Sequence, residues 1–386
     1  MNKKVHVLGG GTLAYVRSHL ALCAPAYGTT ARKLERLCRA QGDKLDVVLH
    51  LTRMAGGNKG LETVEDVARL LEEIVADLAT KIVFVNVALC DFRGVVGDER
   101  DCHKYGPRLS TRSEPIPKQM GLRPVAKLIG TVRRQRKDIF LVGFKHTSGA
   151  SPNEQYVAGL HLVKEASCNL VLANDTVSRL NMVVTPEEAR YHVTTDRDEA
   201  LRGLVEMAYL RSHLTFSRST VVAGEPVPWD SPLVPDSLRT VVNHCIRRGA
   251  YKPFRGSTAG HFAVKLDDTT FLTSRRKTDF NDLATAGLVQ VVTDRPDSVI
   301  AYGSRPSVGG QSQRIVFHDH PDHDCIVHFH CPIKPGSEVP QVSQREYECG
   351  SHECGQNTSR GLRRFGNLSA VYLQEHGPNV VFHRSI

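Results

Sequence analysis

The sequence predicts an α/β protein of two domains: a doubly wound parallel sheet, then a smaller α+β or three-layer α/β domain. Three observations carry this. Near-continuous apolar strands alternate with helical stretches through the first half, as expected of a parallel sheet covered on both faces. A stretch with three prolines and no periodicity, Val222 to Pro232, interrupts that pattern. Beyond it the strands become short and alternating. The 386 residues suffice for two or three domains. The expected boundaries are 1–220, a linker over 221–236, and 237–386.

In chain order, Lys4 to Leu8 is a short apolar strand that runs into Gly9-Gly10-Gly11-Thr12. Leu45 to Leu51 is a second strand. Val64, Val67, Leu70, Leu71, Ile74 and Leu78 recur at helical spacing, so residues 61–78 form an amphipathic helix. Strands follow at 81–88, 139–144 and 169–175, with helices near 125–136 and 197–214. Each parallel strand ends in small or polar residues: Gly9 to Thr12, Cys90-Asp91, Gly143-Phe144 and Asn174-Asp175. Ligands of such sheets bind beyond the carboxyl ends of the strands, where glycines admit an anion close to the backbone. A nucleotide or phosphate site is therefore expected at that edge. In the second half a helix over 237–248 carries Leu238, Val241, Val242 and Ile246 on one face, and strands follow at 261–266 and 270–273.

The net charge of +9 is compatible with nucleic acid or with anionic small substrates. Its densest run, Arg133 to Lys137, falls at a helix C-terminus, where cations suit the helix dipole. No aromatic interleaving or zinc-finger spacing accompanies it, so nucleic acid is not the expected partner. No apolar run is long enough to span a bilayer. Ten scattered cysteines suit a reducing cytosol better than a disulfide framework, and the expected location is cytoplasmic.

Near the end of the chain, Asp324-Cys325-Ile326-Val327-His328-Phe329-His330-Cys331 closes an apolar run with two histidines one residue apart. Residues i and i+2 of a strand share a face, so both imidazoles can reach one transition-metal cation. A third ligand is expected downstream, and His376 in Glu375-His376-Gly377 is the candidate. The alternative is a pair of structural histidines.

The order of GGGT, Ala88-Leu89-Cys90-Asp91-Phe92, Leu141-Val142-Gly143-Phe144 and Ala173-Asn174-Asp175 resembles phosphopantothenoylcysteine synthetase, the C-terminal half of the DNA/pantothenate metabolism flavoproteins. The likeness spans about residues 4–215. It implies a Rossmann-like fold, a nucleoside triphosphate (CTP or ATP), and a carboxylate activated as an acyl nucleotide for amide formation. The implied nucleotide-binding residues are Gly9, Gly10, Gly11, Thr12, Asp91, Gly143, Phe144, Asn174 and Asp175. Asp98 to Gly121 resembles the family's substrate flap. The sequence departs from the family at His146-Thr147-Ser148, where an acidic residue is replaced. It departs again in the loop after the first helix, rewritten as Ala26 to Thr30.

Residues 240–386 resemble the class II aldolase/adducin family. Gly260-His261-Phe262-Ala263-Val264-Lys265-Leu266 is similar to its GN strand, His328-Phe329-His330 to its metal pair, and Glu375-His376-Gly377 to its third ligand. The resemblance implies a divalent metal, usually zinc, on His328, His330 and His376, acting as a Lewis acid in a lyase or isomerase reaction. The family's glutamate base has no counterpart: Pro306-Ser307-Val308-Gly309-Gly310-Gln311 holds no carboxylate, and Gly309 stands in its place. Glu348 and Glu353 are the candidate catalytic bases. An anion subsite is expected at His261, Ser274, Arg275, Arg276 and Ser307, with cations replacing the family's hydroxyl and backbone donors.

The chain therefore reads as a bifunctional metabolic enzyme, a nucleotide-dependent synthetase-like domain joined to a metal-dependent aldolase-like domain. Its expected partners are a small anionic metabolite and further copies of itself. Two alternatives stand beside it: a non-catalytic oligomeric module of adducin type, and an amide-forming ligase with a supporting aldolase-like domain.

Overall fold

The computed structural model describes residues 3–42, 45–110, 119–216, 218–251, 253–254, 257–295, 298–307 and 310–386. The chain divides into two compact units, Met1–Ser212 and His213–Ile386.

The first unit contains β1 (Lys3–Arg17), β2 (Leu20–Ala24), α1 (Thr29–Arg39), β3 (Leu45–Leu51), α2 (Val64–Ala76), β4 (Thr80–Ala88), β5 (Phe92–Val95), β6 (Gly121–Pro124), α3 (Ile129–Gln135), β7 (Phe140–Thr147), α4 (Pro152–Ala166), β8 (Leu170–Asp175), β9 (Asn181–Val184), β10 (Arg190–Thr194) and α5 (Arg197–His213). The parallel strands lie in the order β3-β1-β4-β7-β8, and β9 and β10 extend the sheet antiparallel. Counted by appearance, that parallel order is 2-1-3-4-5, a doubly wound sheet whose direction of winding reverses between β1 and β4. Val83, Val85, Leu141 and Val171 pack on one face against Val67, Leu71 and Ile74 of α2 and Val163 of α4. The helix over 61–78 starts at Val64, because Thr63 and Asp66 form a reciprocal capping box.

Two sequence expectations are corrected here. The first strand does not stop at Leu8: β1 passes through the glycines to Arg17 and pairs antiparallel with β2. The glycines serve close packing. A Cβ on Gly9 would lie 2.1 Å from the Ala31 Cβ of α1, and one on Gly10, at φ +105°, 2.1 Å from the Thr52 hydroxyl. The loop Ala26 to Thr30 precedes the first helix rather than following it, with Gly28 at φ +76° as its N-cap.

The second unit contains β11 (Arg218–Val222), α6 (Asp236–Arg247), β12 (Pro253–Phe254), β13 (Ser257–Thr258), β14 (Gly260–Lys265), β15 (Thr270–Ser274), α7 (Leu283–Ala286), β16 (Leu288–Arg295), β17 (Ser298–Tyr302), α8 (Gly310–Asp319), β18 (Cys325–Phe329), β19 (Gln341–Val342), α9 (His352–Gly361), β20 (Arg363–Phe365), β21 (Leu368–Leu373) and β22 (Gly377–Phe382). Its sheet runs β11-β17-β16-β15-β14-β18-β22-β21-β19. One face packs Phe262, Val264, Leu272 and Val327 against Leu238 and Val242 of α6. The other packs Ala263, Phe271, Val291 and Ile326 against Val316 and Phe317 of α8. Three layers result. The proline-rich stretch expected as a linker belongs to this unit. β11 pairs with β17, Val227 exchanges backbone bonds with Leu288, and Trp229 meets the edge of Phe262. Prolines interrupt its periodicity, yet its apolar side chains still find the core.

Two glycines let neighbouring strands close on β18. Gly260, at φ +119°, would place a Cβ 2.4 Å from the His328 carbonyl oxygen; Gly377, at φ +121°, would place one 2.2 Å from that of Phe329. Either position excludes a side chain by contact as well as by φ. Gly377→Ala is expected to cost about 2 kcal/mol or more, combining strained backbone with that contact. Urea titration of the full chain checks this, and an unchanged midpoint would refute it.

A histidine pair, His6 buried and His50 half-buried, is expected to make the first unit sensitive to acid. His6 Nδ1 lies 3.0 Å from His50 Nε2, and the rings stack with centres 5.3 Å apart. Burial, then His50, lowers the His6 pKa to about 4, with Asp77 opposing and Lys4 adding slightly; burial lowers that of His50. Both folded values lie below the unfolded one. The stabilisation is therefore complete above about pH 6.5 and is lost as pH falls toward 4. The His6 shift alone corresponds to roughly 3 kcal/mol. Urea denaturation from pH 7 to pH 4 should show this loss, and His6→Gln should flatten it.

Candidate functional site

The second unit gathers four histidines where β14, β18 and the β21–β22 turn meet. His328 is the penultimate residue of β18, and His330 follows two residues on. In the antiparallel register His261 of β14 faces His328, which faces Asn379 of β22 on its other side. His376 sits in the turn that joins Leu373 to Gly377, after Glu375 at φ +60°. Ring centres lie 5.0 Å apart for His328 and His330, 5.6 Å for His330 and His376, and 6.2 Å for His328 and His376. His261 lies 4.9 Å from His328.

Burial lowers the pKa of all four imidazoles, which favours their neutral forms. Burial, then His261 and the other rings, takes His328 well below the usual value. Burial, then His330, lowers His376 to about 4; burial, then His330 and His376, lowers His261 to about 3; burial lowers His330. His328 Nδ1–H donates to the Pro378 carbonyl at 2.9 Å, which leaves its Nε2 lone pair free to bind. Neither buried ring nitrogen of His376 makes a hydrogen bond of ordinary geometry; the Gln374 carbonyl only offsets its downward shift a little.

Among the described residues no group of three or more His, Cys, Asp or Glu is arranged to hold a metal ion. The ring spacing of His328 and His330 is nevertheless that of two imidazoles sharing one ion. Two imidazoles on a tetrahedral zinc have ring centres roughly 5 Å apart. The distances from His376 exceed that by up to about an ångström, and His376 has no firm hydrogen bond to lose on turning inward.

The remaining candidates of this unit separate. Glu348 is half-buried. Burial, then Glu353 and Glu375, raises its pKa against the pull of Arg345. Glu375, next to His376, accepts from the Glu346 N–H at 3.1 Å, which ties the Glu346–Glu348 turn to the turn carrying His376. Glu353 does not share that position: its carboxylate accepts from the Thr215 N–H at 3.0 and 3.2 Å. The anion subsite also divides. Ser274 and Ser307 hydroxyls are buried and bond to each other at 2.8 Å, on the Phe262 face, whereas His261 meets Gln313 of α8 on the other face. Arg275 and Arg276 remain half-buried at the end of β15. Gly309 lies outside the described residues. Gln313 was not foreseen, because the sequence reading contains no helix at α8. A cleft of about 600 Å³ in this unit includes Lys265, Arg314, His352 and Arg360 in its wall and none of the four histidines.

In the first unit the middle of β1 and the carboxyl ends of β4, β7 and β8 border a cleft of about 320 Å³, lined by Gly10, Thr29, Thr30, Asn86, Phe144, His146 and Asn174 among others. It lies at the reversal of the sheet, beside the α1 N-terminus. Of the nine expected nucleotide residues, Gly10, Phe144 and Asn174 line it. The Thr12 hydroxyl instead donates to the Ala88 carbonyl and accepts from the Cys90 N–H. Asp175 accepts from the Ala150, Val177 and Ser178 N–H groups, which hold its carboxyl far below the usual range. Asp91 is exposed and pairs with Lys127. Gly9, Gly11 and Gly143 are packing positions, against Ala31, Ala24 and Cys168. Of the expected flap, residues 111–118 lie outside the described residues.

Comparison with known proteins finds two different likenesses in the chain. Residues 242–333 match the model of the class II aldolase and adducin N-terminal domain, which takes in His261, His328 and His330 but ends before His376. A curated relative, the coenzyme A biosynthesis bifunctional protein CoaBC of Thermococcus kodakarensis, is 27% identical over 176 residues, 45% of this chain and 41% of its own length. The chain thus spans less than half the length of that relative. Among solved structures, the DNA/pantothenate metabolism flavoprotein from Streptococcus pneumoniae aligns at 16% identity, covering 55% of this chain and all of that one, with TM-score 0.44. The l-fuculose-1-phosphate aldolase from Thermus thermophilus aligns at 19% identity, covering 39% of this chain and 80% of that one, with TM-score 0.31. The protein joins an N-terminal region similar to CoaBC and phosphopantothenoylcysteine synthetase to a C-terminal region that carries the class II aldolase and adducin domain.

Proposed function

We propose that the protein is a bifunctional metabolic enzyme whose C-terminal unit is a divalent-metal lyase or isomerase, with zinc the preferred ion, acting on a small anionic metabolite. The observation that carries this reading is the clustering of His328, His330 and His376, whose ring centres lie 5.0, 5.6 and 6.2 Å apart. His328, His330 and His376 would hold the ion. When bound, it supplies Lewis acidity toward a carbonyl or hydroxyl oxygen of the substrate. Arg275 and Arg276 supply positive charge for the substrate's phosphate or carboxylate. Glu348 is the residue to move the proton: its turn is tied to the turn carrying His376 by the Glu346 N–H bond to Glu375, and burial raises its pKa. The N-terminal unit binds a nucleoside triphosphate, CTP or ATP, in the cleft of Gly10, Phe144 and Asn174, which lies at the reversal of a doubly wound sheet.

Ten free thiols support a reducing, cytoplasmic location, and the family resemblance supports a homo-oligomer. Among the described residues no helix is long and apolar enough to cross a membrane. The second reading, a non-catalytic module, draws on Pro306 to Gln311, which holds no carboxylate.

Elemental analysis of the purified protein should find one transition-metal ion per chain, with less than about a tenth of it in a His328→Ala/His330→Ala variant. Full retention in the variant, or no stoichiometric metal in the unaltered protein, would sink the assignment. Once a screen of phosphorylated and carboxylated hydroxy- and ketometabolites finds turnover, Glu348→Gln should lower kcat about 10²–10⁴-fold with metal content unchanged. Glu353→Gln should leave kcat within a factor of a few. Equal losses in both would remove Glu348 from its role.

A further inference from the structure

We propose that the first unit carries a further small-molecule site between β3 and α2, which takes an aliphatic ammonium ion on His50 and Glu73. A cleft of about 400 Å³ opens there and shares no lining residue with the cleft at the sheet reversal. Its α2 wall is Asp66, Arg69, Leu70 and Glu73, spaced i, i+3, i+4 and i+7 on one face of the helix. Val67, Leu71 and Ile74 of the same helix fill the core instead. Leu49 and Leu51 of β3, with Leu61, add apolar surface to the cleft.

A chain of hydrogen bonds fixes which nitrogen of His50 is left for a ligand. The Thr80 hydroxyl lies 2.7 Å from the Ile74 carbonyl oxygen, which has no proton to give, so the hydroxyl donates there. Its single proton is then spent. His6 Nε2, 3.3 Å from the same hydroxyl, therefore carries a hydrogen and donates it. In the neutral His6 ring Nδ1 is then an acceptor, and His50 Nε2–H donates to it at 3.0 Å. Burial lowers the pKa of His50 against the pull of Glu73, which favours its neutral form. Its Nδ1 lone pair is what His50, half-buried and lining the cleft, offers to a ligand.

The other polar groups of the wall narrow the ligand. Asp66 is spent on the Glu62 and Thr63 N–H groups and on Arg69. The Asn58 carbonyl accepts from the Gly60 N–H. Among the described residues the Glu73 carboxylate makes no hydrogen bond or ion pair. One neutral acceptor and one uncompensated negative charge thus stand over apolar walls. An ammonium group donates to Nδ1 and pairs with Glu73, while its carbon skeleton lies on the leucines. A phosphate or carboxylate would meet a lone pair and a like charge.

Nuclear magnetic resonance of the full chain, labelled with ¹⁵N at histidine and titrated near neutral pH with pentylammonium or with pentanol, tests this. The free protein should show His50 Nδ1 without a proton, the resonance being assigned by its loss in His50→Phe. Pentylammonium should shift that resonance saturably, and pentanol should bind at least about tenfold more weakly. Glu73→Gln, a change at an exposed position that leaves the fold intact, should weaken pentylammonium binding about two- to fivefold. A proton on His50 Nδ1 in the free protein, no saturable shift with pentylammonium, or equal binding of amine and alcohol would overturn the site. Undiminished affinity in Glu73→Gln would overturn it as well.

Discussion

The second unit depends on how closely two strands approach β18. Gly260 and Gly377 sit on its two sides at positive φ, each with its hydrogen where a methyl group would strike a carbonyl oxygen of β18. That approach sets the register in which His261 faces His328. It also brings the turn carrying His376 against the end of β18. The glycines of the GH and HG pairs are therefore part of the machinery that positions the histidines. Their role is backbone access, not ligand contact.

The first unit shows the same logic with a different outcome. Its glycines also sit where backbone meets helix, yet most of them are filled by packing rather than by a ligand. Gly9 seats against Ala31 and Gly143 against Cys168, Ile129 and Leu162. Gly10 does both: it packs on Thr52 and Ala55, and it borders the cleft at the sheet reversal. A glycine run after an apolar strand is thus a poor guide to which residue meets the ligand. The topology of the strands is a better one, since it locates the edge where their carboxyl ends converge.

This explains what was legible in the sequence. The parallel strands were, because runs such as Ile82 to Val85 are buried on both faces and carry an unbroken apolar signal. The His328–His330 pair was legible because strand period two puts both rings on one face. Helix α1 was not, since only Ala31, Leu34 and Cys38 of its eleven residues are buried. Helix α4 was not either: its buried side is Gln155, Gly159, Val163 and Ala166, mostly small or polar. The continuation of β1 past Leu8 was missed because glycines read as a turn. Gln313 was out of reach for a stronger reason. Its part depends on α8 packing across β14, a contact between residues 52 positions apart that no local spacing encodes.

The electrostatics of the histidine cluster also bear on what it can accept. Each ring is desolvated and adjacent to another, so adding a proton to any of them places a charge in a poorly solvated space beside further rings that resist it. A proton can be held by one lone pair, or at most shared between two. A metal ion is held by several lone pairs at once, and the energy of those bonds outweighs the same desolvation. Burial that excludes the proton therefore leaves the donors open to a metal. With no carboxylate among the ring donors, the centre would carry a net positive charge, and the acidic groups nearby do not cancel it directly. Glu375 is engaged by Arg345 and the Glu346 N–H, and Glu348 by the Arg345 N–H. A positive centre of this kind, in a low-dielectric setting, favours an anionic oxygen ligand over water or a neutral carbonyl. Such a centre would suit the anionic substrate proposed above.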